Sequence, residues 1–200
     1  MKAYFFELVD FALNQLTGAE VLLLKFEGEV SDFVRFNHGR VRQPLSVTQR
    51  YLALTLIQDQ RQQRVTFSLT GNKATDCELL TQQLGMMRHQ LPNLPIDPYL
   101  LYATDGCDSD QVRRGVLPTI DQAIGDIVDQ AGGLDLVGIL SSGPIYRGFA
   151  NSLGQRNWHE VDAFLFDWSI YQIADKAIKM SYSGTHWDRL QLRSRIESAR

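Results

Sequence analysis

The sequence predicts an α+β fold: a helix–four strands–helix unit, duplicated, with an antiparallel sheet. Three observations carry this expectation. Two amphipathic helical stretches, residues 3–16 and 118–131, each lead a block of extended runs. Each block then closes on a second helical stretch, 75–89 in the first and 187–200 in the second. The leading helices stand roughly 115 residues apart, the interval expected of a repeat whose sequence has drifted while its order of elements has not. The 200 residues are therefore read as one domain with internal halves 1–90 and 118–200, joined by a loop over 91–117.

In the first helix, Phe5, Leu8, Val9, Ala12, Leu13 and Leu16 recur at helical spacing, and Gly18 stops it. Glu20–Glu27 reads as a strand. Gly28-Glu29 reads as a turn, and Val30–Phe36 as the returning strand. Asn37-His38-Gly39 has the composition of a tight hairpin turn. Leu45–Asp59 is a long strand, apolar on both faces and so central, and Arg64–Thr70 is the fourth. The helix 75–89 has Asn72 or Thr75 as its cap and Leu79, Leu80, Leu84 and Met87 as its stripe. Pro92, Pro95 and Pro98, then an acidic run from Asp105 to Asp110, hold no period, so 91–117 reads as a surface connection. In the second block Gly132-Gly133 ends the helix, and runs at 134–141, 145–151, 156–172 and 176–183 supply four strands. Leu190, Leu192 and Ile196 return to helical spacing. That spacing reaches Arg200 with no stop signal, so more protein is expected to follow.

Composition excludes several classes. A net charge of −3 gives no global attraction to nucleic acid or to an anionic membrane. No apolar run approaches the ~20 residues of a membrane helix, and the acids within the first sixteen residues rule out a signal peptide. A cytoplasmic protein is expected. Cys77 and Cys107 lie thirty residues apart with no CxxC pattern, as in a reducing compartment, although spacing alone does not forbid a disulfide.

The most distinctive stretch is Gly138–Trp158, where glycines interrupt a strand-like alternation of Ile145, Arg147 and Phe149 against Tyr146, Gly148 and Ala150. A glycine within a strand marks a bulge or a close backbone approach. This stretch, SSGPIYRGFANSLGQRNW, followed by FDWSIY and DKAIKMSYSGTHW, resembles the N-terminal half of the TldD/PmbA family. The earlier AEVLLLKFEGEVSDFVRFNHGRVRQ fits the start of that family less specifically.

The resemblance implies an accessory half of a dimeric metallopeptidase that acts on unfolded or modified peptides, a family with an old label as modulators of DNA gyrase. It places the metal, zinc, on an HExxxH helix and a later cysteine in the C-terminal half. No cofactor is expected in this chain. The His-Glu pair here, His159-Glu160, sits on an expected strand with no second histidine one helical turn on. His38, His89, His159 and His186 are dispersed, so no metal ligands and no catalytic residues are assigned. The chain alone is expected to be inactive.

Arg35, His38, Arg40, Arg42 and Arg50 form a basic cluster. It reads either as a groove for a peptide's carboxylates and carbonyls or as a solvated strand face balanced by Glu27, Glu29 and Asp32. The candidate peptide-binding residues are Arg147, Asn151, Arg156, Arg40 and Asn37. Trp158, Trp168 and Phe149 are candidate interface residues, with a core role for the tryptophans as the plainer reading. A non-catalytic dimerisation or scaffold module is the alternative function. No nucleic-acid or membrane partner is expected.

Overall fold

The computed structural model describes residues 1–173 and 175–199. Among these, four α-helices accompany a seven-stranded antiparallel sheet. The α+β class and the antiparallel sheet are as the sequence predicts. The helices are α1 (Lys2–Leu13), α2 (Lys73–Gln90), α3 (Ile120–Gln130) and α4 (Arg189–Glu197). Arg200, the last residue of the expected closing helix, lies outside the described residues. The strands are β1 (Val21–Asn37), β2 (Arg40–Gln58), β3 (Arg61–Ser68), β4 (Ser109–Arg113), β5 (Asp135–Asn151), β6 (Arg156–Ile173) and β7 (Lys176–Gly184). The expected loop over 91–117 contains β4 and a short 3-10 turn at Leu91–Asn93.

Each block has three strands rather than four, because two expected breaks are absent. The backbone runs extended through Gly28-Glu29, giving one 17-residue strand, β1. It also runs extended through Ser142-Gly143-Pro144, giving β5. The duplication survives this correction and sharpens. Val21 to Asp135, Arg40 to Arg156 and Arg61 to Lys176 are offsets of 114, 116 and 115 residues between corresponding strand starts. Gly143 has φ +152°, and a Cβ there would sit 2.1 Å from the Val30 carbonyl oxygen. Its missing side chain is what lets β5 approach β1 at that point.

The turns follow from local chemistry. Between β1 and β2, His38 and Gly39 have φ of 50° and 66°, the two positive values of a type I′ hairpin. Asp59 and Gln60 repeat the pattern between β2 and β3, at 51° and 55°. Helix starts are capped: Asn72 accepts from the Thr75 amide on α2, and Asp188 from the Leu190 amide on α4. Thr119 and Gln122 form a reciprocal capping box on α3.

The sheet order is β3-β2-β1-β5-β6-β4, with β7 also on β6. The chain forms two compact units that interleave along the sequence. Unit 1 comprises 1–28, 49–112 and 146–160, and unit 2 comprises 29–48, 113–145 and 161–200. The long strands each contribute one segment to each unit. In unit 1, α1 and α2 pack on the sheet through Phe5, Leu8, Leu80 and Leu84 against Leu24, Phe26, Leu52, Leu54 and Trp158. In unit 2, α3 and α4 pack through Ile127, Leu192 and Ile196 against Val34, Phe36, Leu136, Leu140, Phe166 and Trp168. In both, alternate strand residues face the helices and form the core.

Candidate functional site

The other face of unit 2's sheet carries the candidate site. Residues facing away from α3 and α4 come from five neighbouring strand segments. They are Arg42 on β2, Arg35 and Asn37 on β1, Val137 and Ile139 on β5, Asp167 and Ser169 on β6, and Lys179 on β7. They line an open cleft of about 640 Å³. The β6–β7 register fixes one end: Ser169 lies opposite Lys179, and the Lys179 ammonium reaches diagonally to Asp167 at 3.1 Å. Close approach of β5 to β6 depends on Gly138. A Cβ there would lie 2.8 Å from the Asp167 carbonyl oxygen and 2.9 Å from the Trp168 Cβ. On the core side, Phe166 and Trp168 stack with centroids 4.6 Å apart.

The charges are uneven across this face. Lys179 is matched by Asp167. Arg35 and Arg42 are exposed and have no ion-pair or hydrogen-bond partner among the described residues. Between the two ends Val137 and Ile139 are 37% and 41% exposed, an apolar floor open to solvent. Such a surface suits a ligand that pairs negative charge with apolar bulk.

Solved structures share this fold. TldE from Thermococcus kodakarensis matches with a TM-score of 0.63 at 12% identity, over 98% of this chain and 46% of its own. A protein described as a candidate modulator of a DNA gyrase from Thermotoga maritima matches at 0.62 and 10% identity, over 99% and 47%. One of the same description from Bacteroides thetaiotaomicron matches at 0.62 and 14%, over 99% and 49%. This chain has the fold of about half of such a protein. It spans a little under half the length of each. No family model and no curated protein matches the sequence.

The structure distributes the residues singled out from the sequence. Arg35, Arg42 and Asn37 come together in the unit 2 cleft. His38 and Arg40 lie round the hairpin turn beside the end of α3, where His38 Nδ1 is 2.6 Å from Asp135 and the Gly39 amide donates to the Leu136 carbonyl at 2.9 Å. Arg50 belongs to unit 1, where its Nε lies 3.3 Å from the Met1 sulfur. Arg147 and Phe149 line a second, smaller cleft of about 310 Å³ in unit 1, with Lys25 and His159.

Arg156 and Asn151 have structural work. The Arg156 guanidinium pairs with Asp10 and lies 5.5 Å over the Phe6 ring, while its amide donates to Asp108. Asn151 is buried, and its side-chain oxygen accepts from the Leu153 and Gln155 amides, both at 3.0 Å. Trp158 and Trp168 are core residues, each 1% exposed. Trp158 stacks among Phe5, Phe26 and Tyr146.

Among the described residues no group of three or more His, Cys, Asp or Glu is placed to hold a metal ion. Cys77 and Cys107 are free thiols. No described helix is long and apolar enough to cross a membrane.

The sequence does not single out Lys179, Asp167, Ser169, Val137 or Ile139 as site residues. The alternation of the runs at 134–141 and 176–183 hinted which residues share a face. Which strands are neighbours is a long-range property that no local pattern carries.

Proposed function

We propose that this chain is the accessory, peptide-handling half of a TldD/PmbA-type protein whose bond-breaking chemistry lies outside these 200 residues. The observation that carries the reading is the open face of unit 2, where two guanidiniums with no partner among the described residues lie beside exposed valine and isoleucine. The shared fold with about half of TldE and of the gyrase-modulator structures supports it. Strand edges add a second means of holding an extended chain. The β3 register on β2 runs from Tyr51 to Gln58, and the Leu69 amide still reaches the Arg50 carbonyl, so the unit 2 segment of β2, residues 40–48, lies beyond β3, and β7 is an edge strand of unit 2. Edges of this kind take extended peptides by β-addition. Titrating a fluorescein-labelled unstructured peptide with the chain tests the reading. Saturable binding without cleavage is expected; metal-dependent cleavage by this chain alone would sink it.

A second reading, an assembly module that pairs subunits, is favoured by one observation. Tyr99 and Leu101, in the segment after α2, are 87% and 93% exposed. Exposed apolar side chains mark a contact surface where they form a contiguous patch, and these two stand two residues apart in one segment. In this reading the full protein is a homodimer and the exposed segment lies in its interface.

A further inference from the structure

We propose that the unit 2 face takes its peptide across the strands, with an acidic residue over Arg35 and Arg42 and an apolar residue two positions away over Val137 and Ile139. This rests on the peptide-handling reading and names its substrate class: an extended segment pairing Asp or Glu with a nearby aliphatic or aromatic residue.

The order of strands sets the geometry. Across unit 2 the order is β2, β1, β5, β6, β7, so the cleft runs Arg42, Arg35, then Val137 and Ile139, then Asp167 with Lys179. Strands lie about 4.8 Å apart, so the five span about 19 Å, the length of about six extended residues. Arg35 is one strand from the apolar floor and Arg42 two, about 5 and 10 Å. An extended peptide places residue i+2 about 7 Å from residue i and on the same face, between those two distances. One acidic side chain can therefore meet the guanidiniums while the residue two positions on, facing the same way, covers Val137 and Ile139.

The charges set the direction. At the β2–β1 end the cations are unmatched, whereas at the β6–β7 end Asp167 already neutralises Lys179. A carboxylate gains only at the first end. A continuous phosphate backbone is poorly served, because its path would cross the apolar floor and reach Asp167. β-Addition at an edge would not read this pattern, since edge pairing engages backbone groups and leaves the centre of the face empty.

The test uses three labelled peptides of about eight residues: one with Asp two positions before Leu, one with Lys in place of that Asp, and one with Ser in place of that Leu. Anisotropy titrations against the whole chain should show the Asp–Leu peptide binding about tenfold tighter than either other. Arg35→Gln with Arg42→Gln should abolish the charge preference, and Ile139→Ser the apolar one. Both changes are at exposed positions, and a thermal melt checks folding. Arg35→Lys with Arg42→Lys should restore most of the charge preference. If all three peptides bind the wild type equally, or the preference survives the double Gln variant, the inference fails while peptide handling at an edge stands. Displacement of bound peptide by duplex DNA overturns the peptide assignment of the face. If no peptide binds, both readings fail.

Discussion

The Tyr4 hydroxyl donates to the Asp76 carboxylate at 2.5 Å, tying the first turn of α1 to the first turn of α2. Asp76 is fully buried yet well satisfied: it also accepts from the Thr70 amide and hydroxyl, at 2.9 and 3.0 Å, and from the Gly71 amide at 2.9 Å. Burial alone would raise its pKa. The four donated hydrogen bonds outweigh that and hold it below the usual carboxylate range. The Tyr4 phenol is pushed up, first by burial and then by its bond to Asp76.

Tyr4→Phe removes one donor and should lower unfolding stability by about 1–2 kcal/mol. Asp76→Ala leaves the buried donors without an acceptor and should cost more, about 2–4 kcal/mol. Urea unfolding of the two variants checks the order. Equal costs would mean that the hydroxyl, rather than the whole network, carries the tie.

Acid should weaken unit 1 through two carboxyls. Glu20 is held below its ordinary pKa chiefly by hydrogen bonds from Arg88, at 2.7 and 2.8 Å, and Asp76 by the donors above. A carboxyl with a lowered folded-state pKa contributes stability that is fully present above its unfolded pKa, about 4. That contribution is lost as pH falls through the folded value. The melting temperature should therefore fall below about pH 4. Glu20→Gln and Asp76→Asn should be less stable than wild type at pH 7, with the gap narrowing as pH drops. A gap constant from pH 7 to pH 2 would contradict the linkage.

Gly143 should tolerate no side chain. Gly143→Ala puts a methyl group against the Val30 carbonyl at a positive φ, so a loss of about 2–3 kcal/mol is expected by thermal or urea unfolding. A neutral substitution would show that β5 can bend away from β1 at low cost.

The assembly reading makes its own prediction. Tyr99→Ser with Leu101→Ser should leave the melting temperature unchanged, because both side chains are exposed. Sedimentation should show loss of any dimer that the wild type forms. An unaltered dimer would remove the segment from the interface.

Much of the fold was legible because its signals are local. Helical spacing at Phe5, Leu8, Val9 and Ala12 and the cap at Asn72 marked the helices. The His38-Gly39 turn and the repeat interval marked the order of elements. Gly28 and Gly143 misled, since a glycine signals a turn and a close approach equally well, and here both strands ran on. Arg35 and Arg42 could be named as part of a basic cluster, and Asn37 as a hairpin-turn residue. Their companions Lys179 and Asp167 lie more than 120 residues away and join them only through the strand order. Asn151 looked available as a donor, but its place at the hairpin end commits its oxygen to the turn.

The most direct check of the central claim is a methyl-resolved NMR titration of the chain with the Asp–Leu peptide. The account predicts that the Val137 and Ile139 methyl signals shift saturably with the binding curve, and that the shifts vanish in the Arg35→Gln, Arg42→Gln variant. Saturable binding that leaves both methyls unmoved would contradict it.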